Sequence, residues 1–249
     1  MTKTIIRITA LAATALIAGC ATIPAADPLL KLPEGSNGKA YMALGTEPGW
    51  TAEITPGRIN YNGNYGDTQL RLPVTAITPG KDGVSYQANG NGNSLTMTIR
   101  YHANCSDGMS DRLYADEVNI IANGQSYRGC GGAILPPMAL EDTSWRIKAI
   151  NGAALAADQS RQAYFRFADG RVDISVGCNR MSGAYQAASH GMSVGPIMST
   201  RMACQEPLNS WESAVSSTLS APLHMRYTPD GEMTLMGTGG KSITLQRNI

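Results

Sequence analysis

The segment Gly191-Met192-Ser193-Val194-Gly195 has the spacing of a nucleophile elbow, and Glu212 and His224 follow it in the chain order that hydrolases of that kind use. That chemistry needs a strand, a sharp turn and then a helix, so that the serine oxygen stands exposed at the end of a sheet. Here Pro196 and Ser199-Thr200 follow the serine, and no alternating strand and helix units precede it. A five-residue pattern in a chain rich in Gly and Ser arises easily by chance, so Ser193 is expected to lie in ordinary β structure. No catalytic residue is expected, and the chain is read as not an enzyme.

Asp107 and Asp111 lie four apart beside Cys105. Paired carboxylates can move protons or hold Ca²⁺, but a dedicated Ca²⁺ loop wants more oxygen ligands than these. Asp, Gly and Ser beside a cysteine are also what a turn requires. Both residues are kept as binding candidates. Arg201 is a third, able to hold an anion or to pair with Glu206 or Glu212, and a structural pair is the favoured reading. His102, His190 and His224 are solitary, and the chain has no Cys-x-x-Cys, so no metal and no cofactor are expected. Asn89-Gly90-Asn91-Gly92-Asn93 reads as a hairpin tip; a phosphate cradle would need a Lys and a following helix.

The chain opens with Lys3 and Arg7, an apolar run from Ile8 to Ile17, and then Ala18-Gly19-Cys20. This is the layout of a signal peptide, too short to span a bilayer, which takes ~20 apolar residues. Its last residues resemble the bacterial lipobox, with Ile17 where Leu is more usual. The resemblance implies cleavage before Cys20 and acylation of its thiol. Removing residues 1–19 takes away Lys3 and Arg7 and leaves 18 basic groups against 19 acidic ones. So even a balance argues against capture of nucleic acid or of an anionic membrane surface by net charge.

Four further cysteines remain, Cys105, Cys130, Cys178 and Cys204, and an even number in an exported chain reads as disulfides. The local pairing, Cys105 with Cys130 and Cys178 with Cys204, partners 25 and 26 positions apart, is one of three connectivities. Each bridge would stabilise its module by roughly 3 kcal/mol through loop-closure entropy.

The elements that must position these residues are mostly strands. Arg58 to Tyr61, Val84 to Gln87 and Leu95 to Ile99 alternate apolar with polar, with Asn62-Gly63, Asp82-Gly83 and Asn123-Gly124 as turns. Thr143 to Ile147, Tyr164 to Phe167 and Val172 to Val176 do the same around Asp169-Gly170, and Met233 to Met236 with Ser242 to Leu245 make a terminal hairpin. Leu208, Trp211, Val215 and Leu219 share one face of a helix, with Asn209 or Ser210 as its N-cap and Pro222 past its end. Trp50, Trp145 and Trp211 are expected to plug cores, since the chain has only two Phe.

The expected fold class is mainly β: two small antiparallel barrel-like modules, at most one helix in each half, and a packed helix in the C-terminal module. Residues 1–19 are assigned to the signal, 20–37 to the lipidated cysteine and tether, 38–136 to the first module and 137–249 to the second.

Gly177-Cys178-Asn179-Arg180-Met181-Ser182-Gly183-Ala184-Tyr185, Ser199 to Cys204, and Glu212 resemble the META domain, or HslJ-like, family over about residues 139–249. Met181 stands where that family commonly has Phe. The resemblance implies a small β-barrel-like sheet with a packed helix and carries no established catalytic residue. Gly45 to Trp50 and Cys105 to Asp111 resemble the signatures of an uncharacterised envelope lipoprotein domain, with Gly49 where an aromatic is typical. These resemblances point to a non-catalytic envelope lipoprotein that binds an envelope protein or helps the envelope withstand stress. Its lipid would sit in the outer membrane, with the modules on the periplasmic face. An inhibitor of a secreted hydrolase such as lysozyme, acting through Ser106 to Asp111, is the second expectation, and a serine hydrolase the last.

Overall fold

The structure is a computed structural model that describes residues 27–36, 38, 40–188 and 190–248. Cys20, the signal and most of the tether lie outside the described residues.

Period-two alternation builds nine strands in the first half: β1 (Tyr41–Thr46), β2 (Gly49–Thr55), β3 (Arg58–Gly63), β4 (Thr68–Pro79), β5 (Gly83–Gly90), β6 (Asn93–Arg100), β7 (Cys105–Ser106), β8 (Leu113–Ala122) and β9 (Gln125–Ile134). They run antiparallel in the order β6-β5-β4-β3-β2-β1-β9-β8, and β6 pairs with β8, so eight strands close into a barrel with β7 beside β8. Every second residue points inward. Ile54, Ile59, Tyr86, Met97, Ile99 and Ile120 are among the side chains that fill the interior.

The second half contributes β10 (Thr143–Ile150), β11 (Ala153–Ala154), α1 (Ala157–Gln162), β12 (Tyr164–Ala168), β13 (Arg171–Ser175), β14 (Arg180–Ala188), β15 (Gly191–Val194), β16 (Met198–Ser199), α2 (Leu208–Leu219), β17 (Leu223–Tyr227), β18 (Glu232–Met236) and β19 (Ser242–Arg247). Here β10-β12-β13-β14-β15-β17-β18-β19 is closed by β10 on β19. Trp145, Ile147, Phe165, Phe167, Leu235 and Leu245 fill this barrel. Helix α2 packs on β10 and β19 through Val215 and Leu219. Both barrels are closed eight-strand antiparallel sheets, as the alternation implies.

Asn123-Gly124 and Asp169-Gly170 turn their hairpins with positive φ at both residues, the hand that matches strand twist, and Asn91-Gly92 does so within the Asn89–Asn93 tip. Three expectations are corrected. Asn62-Gly63 is no turn: both residues stay in β3, opposite Gln69 and Thr68, because Gly63 leaves room for the Tyr61 ring and the chain turns afterwards at Asn64 and Tyr65. Helices are not limited to one per half, since the second half holds both α1 and α2. Helix α2 starts earlier than expected: Pro207 is at the N-cap, and Glu206 from outside the helix accepts from Ser210 N–H and Oγ.

Segment 27–36 crosses one end of the first barrel. Leu29 and Leu32 pack on the core, Tyr86 Oη donates to the Lys31 carbonyl (3.0 Å), and Glu34 N–H donates to Tyr101 Oη (3.0 Å). Beneath it lies a carboxylate, Asp116, only 3% exposed, which accepts from Tyr41 Oη (2.9 Å) and from His102 N–H (3.2 Å).

Burial raises the Asp116 pKa above its ordinary 3.8, against the opposing pull of those two donors. The folded protein therefore keeps a proton on Asp116 where the unfolded chain has released it. Its contribution to stability is full below 3.8 and is lost as pH rises through the folded pKa. Asp116→Asn, neutral throughout, should raise the urea midpoint near about pH 7 and leave it little changed near about pH 3.5. Asp116→Ala should cost about 2 kcal/mol near about pH 3.5, because Tyr41 and His102 lose their acceptor, and less near about pH 7, where the penalty of the buried carboxyl is removed with it.

Candidate functional site

The two sequence signatures of the first half meet at one end of the first barrel. Trp50 is buried against two glycines, Gly45 of β1 and Gly129 of β9. A Cβ on Gly45 would come within 2.1 Å of its Nε1, and one on Gly129 within 2.6 Å of its Cζ2, so glycine is required at both places. The indole N–H donates to the Arg128 carbonyl (3.3 Å). Cys105 is joined to Cys130 of β9, with Cα atoms 5.5 Å apart, which fixes the start of the Ser106–Asp111 loop to the same wall.

Hydrogen bonds then hold the loop itself. Thr46 Oγ1 donates to the Asp107 carbonyl (3.0 Å). The Asp107 carboxylate accepts from Met109 N–H (3.0 Å), Ser110 N–H (2.8 Å) and Ser110 Oγ (2.8 Å). Partial burial pushes its pKa up, but these donors outweigh that and hold it below the ordinary carboxylate value. Asp107 is thus an organiser of the turn, with its oxygens already engaged. Asp111 stands at the far end of the loop. Its carboxylate is 4.0 Å from Arg247 Nη2 of the second barrel, whose Nη1 donates to the Asp111 carbonyl (3.1 Å).

Beside this loop the β3–β4 turn presents Tyr65 with a left-handed φ of 56°. Its hydroxyl reaches the Thr46 carbonyl (3.4 Å), and its ring covers Gly49, where a Cβ would lie 2.6 Å from Cε1. Tyr65 therefore supplies the aromatic surface that Gly49 itself lacks. Tyr65 is 81% exposed and Met109 is 70% exposed, and Thr46 is hydrogen-bonded both to Tyr65 and to the loop that carries Met109. Two large side chains on a braced ridge suit recognition of a protein surface. Tyr offers a stiff amphipathic anchor, and Met adapts to an irregular one.

The other candidates are scattered. Ser193 lies within β15 opposite Gln186, not at a strand-to-helix turn. His224 is on the outward side of β17, and Glu212 on α2 is engaged with Asn179. Asn179 is buried and organises the second disulfide, Cys178–Cys204. Its N–H and Nδ2 donate to the two Glu212 oxygens (2.6 and 2.7 Å), Nδ2 also to the Met202 carbonyl (3.2 Å), and its Oδ1 accepts from Thr200 Oγ1 (2.9 Å) and Met202 N–H (2.8 Å).

Arg201 is exposed and, among the described residues, pairs with neither Glu206 nor Glu212, which corrects the favoured pairing. Glu206 caps α2 and Glu212 holds Asn179, so neither carboxylate is free for it. Cys178, Cys204 and Glu212 are the one trio of metal-type ligand atoms within 4.8 Å among the described residues, and its two sulfurs are bonded to each other. His102 uses its backbone N–H on Asp116, and His190 offers its carbonyl to Met225 N–H (2.9 Å). Trp50 and Trp145 fill cores, while Trp211 is only half-buried. Sequence reasoning missed Tyr65, because nothing in Asn64-Tyr65-Gly66 announces an aromatic folded back over a neighbouring strand.

A META domain is found at residues 138–248, which spans the second barrel. Two solved structures are similar to part of the chain. An NMR structure of a protein from Burkholderia xenovorans is 26% identical, over 44% of this chain and 83% of that one, with a TM-score of 0.37. Another NMR structure is 21% identical, over 42% of this chain and 88% of that one, with a TM-score of 0.37. No curated protein matches.

Replacing Cys105 and Cys130 together by Ser should cost roughly 3 kcal/mol in chemical denaturation. Amide exchange should accelerate first at Ser106 to Asp111, and the second barrel's strands should keep their protection.

Proposed function

We propose that the protein is a non-catalytic envelope lipoprotein, anchored through acylated Cys20, whose first barrel binds another envelope protein on the ridge formed by Tyr65 and Met109. Two exposed side chains carry this reading, Tyr65 on the β3–β4 turn and Met109 on the braced Ser106–Asp111 loop. The META domain in the second half, the two disulfides and the dispersed catalytic-type residues support it. The alternative is an inhibitor of a secreted hydrolase such as lysozyme. It is favoured by one observation: the Ser106–Asp111 loop is stiffened from within by Asp107 while the Asp111 side chain remains 89% exposed, as a loop that fills an enzyme cleft requires. Placement in the outer membrane, on the periplasmic face, follows from Ala21 after the acylated cysteine and is part of the proposal.

Two measurements test it. Cys20→Ser should move the protein from the membrane fraction to the soluble fraction and abolish incorporation of labelled fatty acid; unchanged fractionation would remove the anchor from the proposal. Oxidised chain 21–249, used as bait in an envelope extract, should retain a partner that Tyr65→Ala and Met109→Ala each weaken by about thirtyfold, the size of a central interface residue. Retention of a hydrolase whose activity falls on binding would select the inhibitor reading. Retention indifferent to both substitutions would place the interface elsewhere.

A further inference from the structure

The near balance of charge in the chain conceals a local excess on the outward face of β12, β13 and β14. Asp173 stands directly opposite Arg166 on β12 and Ser182 on β14. Arg171 is two residues before it on the same strand and face, and Arg180 is its diagonal neighbour on β14. Among the described residues none of these three arginines forms an ion pair; Arg171 Nη2 donates to Ser182 Oγ (3.0 Å). Three arginines thus neighbour one aspartate in the register of this face.

Strand β16 pairs with Met181 and Ser182 of β14 and walls a groove of about 690 Å³, lined among others by Arg166, Arg180, Ser182 and Thr200. The arm that continues from β16 is held firmly. Thr200 N–H donates to the Arg180 carbonyl (3.0 Å), Arg180 N–H donates to Thr200 Oγ1 (3.1 Å), and Asn179 grips Met202 by both its N–H and its carbonyl. Held this way, the arm leaves Met198 66% exposed and Met202 60% exposed, with Arg201 exposed between them.

The geometry points to this face as a membrane-contact surface: phosphates of an anionic phospholipid meet Arg166, Arg180 and Arg201, and Met198 and Met202 enter the boundary of the acyl chains. Guanidinium groups match phosphate oxygens in pairs, and apolar side chains alternating with cations suit the headgroup boundary. An acidic protein segment would satisfy the arginines as well; the run Met198 to Met202, with Arg201 between two exposed methionines, favours a headgroup boundary, and the test separates the two. The inference does not rest on acylation of Cys20, because the groove and arm belong to the second barrel.

The test uses chain 21–249, which keeps both barrels and lacks the anchor, sedimented with phosphatidylglycerol-containing vesicles and with pure phosphatidylcholine vesicles at low salt. Each cation at an anionic surface is worth roughly fivefold in partitioning. Arg166→Gln, Arg180→Gln and Arg201→Gln combined should therefore weaken binding to the anionic vesicles by roughly a hundredfold, with the melting temperature unchanged. Met198→Ser with Met202→Ser should weaken it severalfold and leave its salt dependence intact. Equal binding to both kinds of vesicle, binding to neither, or a triple variant that binds like the parent would overturn the proposal. So would an acidic envelope protein retained by the parent and lost by the triple variant in the absence of vesicle binding.

Discussion

Closure of each sheet on itself is the constraint on which the other features depend. Eight short strands with one apolar side apiece would leave two edges of unpaired N–H and C=O groups. The pairing of β6 with β8 and of β10 with β19 removes them and turns the apolar sides inward. The barrels are small enough for side chains to fill, so Tyr86, Met97 and Ile120 in one, and Trp145, Phe165 and Phe167 in the other, make a packed core. Once the wall is closed, everything not in it is confined to the ends and the outer face. The Ser106–Asp111 loop, the Tyr65 turn and the Met198–Met202 arm are of that kind.

Two of these appendages, the Ser106–Asp111 loop and the Met198–Met202 arm, are each fastened by a disulfide together with one polar side chain that hydrogen-bonds the segment. Asp107 does this beside Cys105–Cys130, and Asn179 does it beside Cys178–Cys204. The repetition has a physical reason. A loop of this length carries several backbone groups that no strand can satisfy, and a covalent link restricts the chain without pairing them. A carboxylate or amide placed next to the link accepts from the loop's own N–H groups and completes the accounting. The outcome is a loop whose exposed residues, Met109 in one case and Met198 and Met202 in the other, are held out without needing their own packing.

Much of the fold was legible in the sequence because it is local. Alternation in Val84 to Gln87 and Leu95 to Ile99 gave strands, Asn123-Gly124 and Asp169-Gly170 gave turns, and the spacing of Val215 and Leu219 gave α2. What escaped depends on partners far along the chain. Asn62-Gly63 has turn chemistry, yet its glycine makes room for Tyr61. Helix α1 carries a single buried residue, Ser160, whose Oγ donates to the Ile147 carbonyl (2.7 Å), so it has no apolar stripe to betray it. The pairing expected of Arg201 failed for a similar reason, since both nearby carboxylates serve α2 and Asn179. Of the candidate surface, Asp107 and Asp111 were visible as residues, but their division into organiser and strut was not. Tyr65 and the cluster of Arg166, Arg171 and Arg180 emerge only when strands separated in sequence are set side by side.

The two barrels are also joined in a way that bears on the ridge. Ile134 at the end of β9 donates its N–H to the Pro229 carbonyl (2.8 Å), and its side chain lies where a Cβ on Gly231 would approach within 2.9 Å. From the same side Arg247, only 13% exposed, reaches out of β19 to the Asp111 carbonyl. The Ser106–Asp111 loop is therefore fixed at its start by a disulfide within its own barrel and at its end by a cation belonging to the other. A largely buried guanidinium is a stiff support, because leaving it unpaired costs more than the entropy of holding it. The second barrel thus braces the far end of the loop that carries Met109, and through Ile134 it holds the end of β9 as well.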